Sequence, residues 1–348
     1  MQIISTLDAL DAKLAECDAA GQISDDALRQ VFTTFRMDFP TEVPADPFSS
    51  EYHEFQMAAY RRISGRNYAP QNEASAFDVA AADRRPFPFY TNSCRTAGYF
   101  TMGMGFLLHS LDLPAGARVV EFGPGWGNTT LAMAMTGLDV TAVDIEENFC
   151  ELLRLRARRH DISLTVIHGD FMWAETVMEP FDAAVFFECF HHCSDHMRLL
   201  RALCSAIKPD GRIYFAAEPI LPDFPLPWGL RMDGESLWAI RSQGWMELGY
   251  QESYFREALA RTGWSVTRHA LQGLEWAAVW EAKRIGAATT PAELATEAQP
   301  LPSVSDGPSA PLSTDAEEHL RAELEAVYNS TSWRLTKPLR ALGRRLRR

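Results

Sequence analysis

The sequence predicts an α/β fold with a mostly parallel, seven-stranded sheet and helices on both faces. From Arg118 onward, short apolar segments alternate with helical patterns, which is typical of this class. Continuous apolar runs, such as Ala-Ala-Val-Phe-Phe at 183–187, indicate strands that are covered on both faces. The chain has 348 residues, of which 47% are hydrophobic, so it can bury the core that such a sheet needs.

Seven segments have the length and composition of strands, and we expect the last two to pair at one edge of the sheet. They cover residues 118–122, 139–143, 163–168, 183–188, 211–217, 264–269 and 276–282.

The rest of the chain divides by composition. Residues 1–50 form an N-terminal helical segment with two helices between 3 and 36, which Ser5 and Ser24 are placed to cap. Residues 51–115 form a helical cap region that ends in an apolar helix at 101–113. Residues 116–285 hold the sheet, with an insertion at 219–250. A flexible linker at 286–314 and a charged helix with a basic amphipathic tail at 315–348 complete the chain.

Charge is unevenly distributed along the chain. The formal net charge is −13, which disfavours nucleic acid as a partner. The last 21 residues nevertheless contain seven basic side chains and no acidic one, with Leu335, Leu339, Leu342 and Leu346 at helical spacing. This pattern suits an anionic membrane surface, and a solubilising tail is the alternative.

Neither a signal peptide nor a membrane-spanning segment is recognisable, so we expect a cytoplasmic protein. Its tail would then lie at the inner face of the cell membrane if it binds lipid.

A glycine-rich loop carries the strongest chemical signal. The first predicted strand ends in Glu121-Phe122 and runs into Gly123-Pro-Gly125-Trp-Gly127, after which a helical pattern begins at Asn128. Glycines at this spacing let the backbone turn tightly and approach a ligand closely. The second strand leads to Asp144, where a carboxylate can accept hydrogen bonds from both hydroxyls of a ribose.

Two details separate S-adenosylmethionine from a nicotinamide cofactor. The dinucleotide fingerprint places its third glycine five positions after the first, and that position is Asn128. Glu121 lies two residues before the first glycine, where an acid suits the ammonium group of S-adenosylmethionine.

With these features, residues 85–283 resemble the class I S-adenosylmethionine-dependent methyltransferases, which have a Rossmann-like fold. The resemblance implies that the glycine loop holds the methionine end of the cofactor, that Asp144 holds the ribose, and that Asp170-Phe171 flank the adenine. The turn at 208–211 corresponds to the one before the family's fifth strand, and Tyr90 is placed to cover the cofactor. The expected cofactor-binding residues are Glu121, Gly123, Gly125, Gly127, Asn128, Asp144, Ile145, Asp170, Phe171, Glu188 and Tyr90.

The end of the fourth strand offers candidate catalytic groups. Glu188, His191 and His192 face the transferred methyl group in the resemblance, and a histidine there can accept a proton from a substrate hydroxyl. The alternative is that they only contact the backbone or the cofactor. Cys189 and Cys193 lie beside them, but the spacing does not match a structural zinc pair, so we expect no metal there. The sequence leaves open a divalent ion held by carboxylates.

The insertion at 219–250 is rich in tryptophan and charged residues, which suits a sugar or another polar ring. A lid packed on the N-terminal helices is the other interpretation, and both can hold. The expected substrate-binding residues are Trp228, Arg231, Trp238, Arg241 and Trp245.

A short similarity suggests the pathway. Residues 330–340 resemble the C-terminal tail of many bacterial glycosyltransferases and associated methyltransferases of surface-polysaccharide clusters. The leading hypothesis is therefore O-methylation of a sugar or glycan intermediate, with a membrane surface or glycan-synthesis enzymes as partners of the tail. The alternatives are methylation of a small metabolite or lipid, and a non-catalytic, cofactor-binding adaptor.

Overall fold

The structure is a computed structural model that describes residues 1–74 and 77–285. All described residues belong to one compact unit. The predicted linker at 286–314 and the charged helix and basic tail at 315–348 lie outside the described residues, so those predictions, like the proposed domain boundaries, stay predictions.

Twelve strands occur in the described residues. In chain order they are β1 (Gln2–Ile4), β2 (Phe35–Met37), β3 (Arg118–Phe122), β4 (Asp139–Asp144), β5 (Thr165–His168), β6 (Phe181–Phe187), β7 (Ile207–Ala216), β8 (Ile220–Leu221), β9 (Trp228–Leu230), β10 (Leu248–Gln251), β11 (Trp264–His269) and β12 (Val279–Arg284).

The same part of the chain contains ten α-helices. They are α1 (Leu7–Gly21), α2 (Asp25–Phe32), α3 (Ser50–Ser64), α4 (Val79–Arg84), α5 (Cys94–Leu111), α6 (Asn128–Met135), α7 (Glu147–Arg159), α8 (His196–Ala206), α9 (Gly234–Trp238) and α10 (Glu252–Arg261). Short 3₁₀ turns include Phe171–Thr176 and Phe190–His192, and a π-helical turn covers Ala239–Gln243.

The central sheet has the order β11-β12-β7-β6-β3-β4-β5. Strands β3 to β7 pair in parallel, and β12 is antiparallel to both of its neighbours. This is the predicted mostly parallel, seven-stranded sheet, with the predicted strand pair at one edge. The order reverses between β3 and β6, which is where open α/β sheets bind ligands, beyond the carboxyl ends of the strands.

Side chains of the central strands alternate between two hydrophobic clusters, one on each face of the sheet. On β3, Val120 and Phe122 belong to one cluster and Val119 to the other. Phe122, Phe186 and Phe215 stack across three adjacent strands, with ring centroids 5.1 and 5.3 Å apart. Burial on both faces explains why these strands read as continuous apolar runs.

The N-terminal segment contains the two predicted helices and, in addition, a parallel pair of strands, β1 and β2, that the sequence analysis did not predict. Ser24 caps α2 as predicted, because its side chain accepts a hydrogen bond from Ala27 N. The prediction for α1 was wrong by one residue, since Thr6 rather than Ser5 provides the cap.

Several predicted boundaries also shift. Strand β7 begins at Ile207 instead of 211, because residues 208–210 continue it past a register shift opposite Phe181 and Ala183. The last strand begins at Val279 rather than 276, since Glu275–Ala277 form a 3₁₀ turn. The apolar helix before the sheet starts at Cys94, where Ser93 caps it.

The insertion folds into a small sheet of order β8-β10-β9, together with α9 and the π-helical turn. It packs on the N-terminal part of the chain: Tyr52 donates a hydrogen bond to the Trp228 carbonyl, and Tyr60 donates one to the Gly244 carbonyl. No helix within residues 1–74 and 77–285 is long and apolar enough to cross a membrane.

Candidate active site

Two cavities that share part of their lining lie beyond the carboxyl ends of β3, β4 and β6, and we call them the two lobes of one cleft. The first lobe has a volume of about 1200 Å³ and the second about 1410 Å³. Both are lined by Gly123, Gly125, Trp126 and Glu188, so the glycine loop and the end of β6 form the boundary between them. A cofactor in one lobe could thus face a second molecule in the other.

The three glycines of the loop have left-handed backbone conformations, with φ of 61° at Gly123, 50° at Gly125 and 74° at Gly127. A Cβ at Gly127 would lie 2.1 Å from a methyl carbon of Leu153, so the third glycine is needed for helix packing. A Cβ at Gly125 would have no atom within 4 Å, because this residue faces the open cleft. Gly125 is therefore the position where a ligand can approach the backbone most closely.

Glu121 is buried beneath the loop and lines neither lobe. Its carboxyl oxygens accept hydrogen bonds from the hydroxyls of Thr129 and Thr130 at the start of α6. Burial raises the pKa of Glu121 to about 7. The predicted contact with an ammonium group stays a prediction, and the contacts seen here join β3 to α6.

Asp144 lies at the end of β4, is buried, and borders the first lobe. Its Oδ2 accepts a hydrogen bond from Gly125 N at 3.0 Å, and its Oδ1 accepts one from Glu146 N at 2.9 Å. Burial raises the pKa of this carboxyl to about 6. The side chain thus holds the glycine loop in place while it faces the cavity.

Most of the other expected cofactor residues come together in the same place. Ile145, Asp170, Phe171, Glu188 and Tyr90 all line the first lobe. Gly127 and Asn128 lie along the second lobe instead, and the Asn128 side chain donates a hydrogen bond to the Phe87 carbonyl.

Glu188 has a left-handed backbone with φ of 52°, which is strained for a residue other than glycine. Its backbone N–H donates to the Ala216 carbonyl, which ties the end of β6 to β7. Burial, followed by the nearby carboxylates of Glu218 and Glu235, raises the pKa of Glu188 to about 8. Glu188 lines both lobes, and its place beside the transferred methyl, which the resemblance implies, stays a prediction.

His191 forms a hydrogen-bonded pair with Glu218, with 2.7 Å between its Nδ1 and Oε2 of the carboxylate. Glu218 is buried and also accepts backbone hydrogen bonds from Cys189, Phe190 and His191. Burial alone would raise the pKa of Glu218, but the imidazole and these N–H donors keep it below its ordinary value. Because an ionised carboxylate only accepts, Nδ1 of His191 is the donor, and Nε2 lies 3.7 Å from Oε2 of Glu247.

His192 has a different environment. Its Nδ1 lies 2.6 Å from the Met246 carbonyl and 3.2 Å from Oε2 of Glu73. Burial opposes a charge on this ring, but the Glu73 carboxylate outweighs it and raises the pKa of His192 to about 9. The ring lines the first lobe, whereas His191 lines the second.

The structure separates the five expected substrate-binding residues into two groups. Trp238 and Trp245 line both lobes, and Arg231 lines the second. Trp228 is 2% exposed in the core and donates a hydrogen bond from Nε1 to the Pro47 carbonyl. Arg241 pairs with Asp11 of α1 and lines neither lobe. Trp228 and Arg241 are thus corrected to packing residues, whereas substrate binding by Arg231, Trp238 and Trp245 stays a prediction.

Sequence reasoning missed many charged residues of the cleft, four of which are important for the site. Arg29 on α2 reaches both lobes and pairs with Asp25 and Glu235. Glu73, Glu218 and Glu247 surround the histidine pair. None of the four belongs to a recognisable motif, because each comes from a segment far from the glycine loop in sequence.

Comparison with known proteins agrees with the site. Residues 119–211 match the family model described as a methyltransferase domain. This segment contains the glycine loop, Asp144 and the histidine pair. The match confirms the predicted enzyme class at the level of the domain.

Among curated proteins, the chain is similar to the ubiquinone biosynthesis O-methyltransferase of Xanthomonas axonopodis pv. citri, with 31% identity over 105 residues, 30% of this chain and 44% of that protein. It is 30% identical to the demethylmenaquinone methyltransferase of Tropheryma whipplei, over 30% of this chain and 42% of that protein. The chain thus spans less than half the length of these relatives.

Among solved structures, one similar chain is the 1,6-didemethyltoxoflavin-N1-methyltransferase of Burkholderia thailandensis, solved with 1,6-didemethyltoxoflavin and S-adenosylhomocysteine. It is 19% identical, with a TM-score of 0.43, and the alignment covers 72% of this chain and 93% of that one.

Proposed function

We propose that this protein is an S-adenosylmethionine-dependent methyltransferase that O-methylates a sugar or glycan intermediate of bacterial surface-polysaccharide synthesis. The observation that carries the methyl-transfer assignment is the two-lobed cleft, in which the glycine loop and Glu188 lie between a cavity large enough for the whole cofactor and a second cavity. Two substrates that react directly need this arrangement, because the cofactor and the acceptor must meet at one point.

The cofactor occupies the first lobe. Asp144 faces the ribose, and Phe171 and Ile145 supply an apolar wall for the adenine. Gly125 lets the methionine part approach the loop backbone. Arg29 is the guanidinium that lines both lobes, which suits the methionine carboxylate.

The charges of the site favour a cationic ligand. Asp144, Asp170 and Glu188 line the first lobe, and S-adenosylmethionine carries a sulfonium and an ammonium group. Burial and the carboxylates of Glu218 and Glu235 raise the pKa of Glu188, and Arg29 and Arg231 offset this only in part. A sulfonium beside it would favour its ionised form.

The reaction is an in-line displacement. An acceptor oxygen forms a bond to the methyl carbon, the carbon–sulfur bond breaks, and its electron pair goes to sulfur, leaving neutral S-adenosylhomocysteine. The acceptor hydroxyl loses its proton to solvent. Alignment of the oxygen with the S–CH₃ bond can supply roughly 7–11 kcal/mol of the barrier reduction, so positioning is the main contribution of the protein.

The second lobe supports a sugar acceptor. Trp238 and Trp245 offer flat aromatic faces, and Arg231, Asp233 and Glu235 offer polar partners around them. Flat aromatic faces with charged neighbours match the alternation of C–H and O–H groups on a sugar ring. The similarity of residues 330–340 to the tails of polysaccharide-cluster enzymes supports the same acceptor class.

A small aromatic metabolite or lipid is the second candidate. Phe39, Phe224, Tyr99 and Trp276 also line the second lobe and form an apolar wall. The O-methyltransferases named for ubiquinone biosynthesis are among the similar proteins. An apolar ring with one hydroxyl would fill this part of the lobe better than a sugar.

A labelling experiment tests both acceptors. The full chain is incubated with S-adenosylmethionine carrying a labelled methyl group and with either lipid-linked oligosaccharides or simple phenols, and products are identified by mass spectrometry. We expect label on the oligosaccharide. Label only on the phenols would replace the sugar with the second candidate, and binding of the cofactor without transfer to either would favour a non-catalytic adaptor.

A further inference from the structure

Three side chains from two separate parts of the chain come together at the end of β6. His191 and His192 follow β6, whereas Glu247 precedes β10 in the insertion. One nitrogen or carboxylate oxygen of each lies within 4.8 Å of those of the other two. We propose that His191, His192 and Glu247 bind a divalent transition-metal ion, such as Zn²⁺, which holds the acceptor oxygen.

Both imidazoles are oriented as metal ligands usually are. Nδ1 of His191 is bonded to the Glu218 carboxylate at 2.7 Å, and Nδ1 of His192 to the Met246 carbonyl at 2.6 Å. Histidine ligands commonly use one ring nitrogen for such an acceptor, which fixes the ring and points the other nitrogen at the metal. In this arrangement Nε2 of each ring would be the ligand atom.

The third ligand and the local charge agree with a cation. The Glu247 carboxylate is buried and lies 3.7 Å from Nε2 of His191. Carboxylates of Glu73, Glu218 and Glu247 surround the two rings, and among the described residues Arg231, at 3.4 Å from Glu247, is the guanidinium that pairs with this group. A divalent ion would balance this concentration of negative charge.

The donor set also selects the kind of ion. Two imidazoles and one carboxylate suit Zn²⁺ and related first-row ions, with ligands about 2.0–2.2 Å from the metal, while Mg²⁺ prefers oxygen ligands. The three ligand atoms, which lie within 4.8 Å of one another, would have to move closer together to reach that distance from one ion. Three protein ligands leave coordination positions open, which is typical of catalytic rather than structural zinc sites.

The position of the site gives the ion a role, which rests on the proposed function. His191 and Glu247 line the second lobe, and Glu188, where the lobes meet, is three residues from His191. An acceptor hydroxyl bound to the ion would have a lowered pKa and would release its proton to solvent. Its oxygen would then attack the methyl group, as described above, without any change in the oxidation state of the metal.

Metal titration of the full chain, prepared without a histidine tag and treated with a chelator, tests the site directly. We expect calorimetry to show one Zn²⁺ per chain. Glu247→Gln should weaken binding at least tenfold, and Glu218→Gln by about 10- to 100-fold, since it supports a ligand. Glu275→Gln is the matched control, because Glu275 lines the same lobe outside the cluster and should leave zinc affinity unchanged.

Two further measurements test whether the variant is folded and which kinds of atom bind the metal. Cofactor binding by Glu247→Gln, measured separately, shows that the variant is folded and tests the proposed function independently of the metal. Co²⁺ in place of Zn²⁺ should give visible bands without a strong sulfur charge-transfer band, since the ligands are nitrogen and oxygen. The proposal is overturned if the wild-type chain binds no stoichiometric zinc, if Glu247→Gln and His191→Asn bind it as tightly as wild type, or if a thiolate band appears.

Discussion

The carboxylate of Asp144 accepts a hydrogen bond from the backbone N–H of Gly125, across 3.0 Å. This contact joins the end of β4 to the centre of the glycine loop, so one side chain both shapes the loop and borders the cavity where we place the cofactor. Strand order explains the contact, because β3 and β4 are neighbours and their carboxyl ends lie side by side.

Asp144→Ala should weaken the binding of S-adenosylhomocysteine by ten- to a hundredfold, since a hydrogen bond to a charged group contributes about 1.5–3 kcal/mol. Titration calorimetry measures the change. Asp139→Ala is the control, because Asp139 is exposed at the start of the same strand and should bind normally. Unchanged affinity in Asp144→Ala would show that the cofactor site is assigned incorrectly.

Alanine at the second and third glycines of the loop should have different effects. Gly127→Ala places a Cβ 2.1 Å from Leu153, so we expect a clear loss of thermal stability. Gly125→Ala meets no atom within 4 Å and should cost only the strain of its positive φ, about 1–2 kcal/mol. Its methyl group projects into the cleft, so cofactor affinity should fall instead. Equal stability losses in the two variants would contradict the assignment of Gly127 to packing and of Gly125 to ligand binding.

Stability of the cofactor-free protein should fall as pH rises through about 7. Burial raises the pKa of Glu121 to about 7, above its ordinary value of 4.5, so between these values the folded state binds more protons than the unfolded state. The stabilisation that the protonated Glu121 carboxyl contributes to the folded state is therefore complete below about pH 4.5, and it is lost as pH rises through 7. Melting temperatures of Glu121→Gln between pH 5.5 and 8.5 should decline less than those of wild type, and parallel curves would argue against a protonated Glu121.

Tryptophans of the insertion should separate into packing and binding residues. Trp228→Phe removes the hydrogen bond to Pro47 from a side chain that is 2% exposed, so the melting temperature should fall while kcat/KM of the folded enzyme stays the same. Trp245→Phe should do the reverse, lowering kcat/KM for the acceptor with little change in stability. A loss of kcat/KM in Trp228→Phe would instead show that Trp228 belongs to the acceptor site.

The sequence by itself determined the sheet and the loop. Val119, Val120 and Phe122 had to form a strand buried on both faces, and glycines at 123, 125 and 127 had to form a turn that side chains would obstruct. These are local properties, because apolar periodicity and left-handed backbone are fixed by neighbouring residues. The spacing of these glycines also distinguished a loop for S-adenosylmethionine from a loop for a dinucleotide.

Tertiary structure decided which charged residues meet at the cleft. Glu73, Glu218 and Glu247 come from three distant segments, yet all lie against His191 or His192. It also decided that Trp228 packs in the core while Trp245 lines the cavities, although the two have the same side chain in one insertion. The physical reason is that such contacts depend on how the insertion packs on the N-terminal helices, and no local pattern in the sequence encodes that packing.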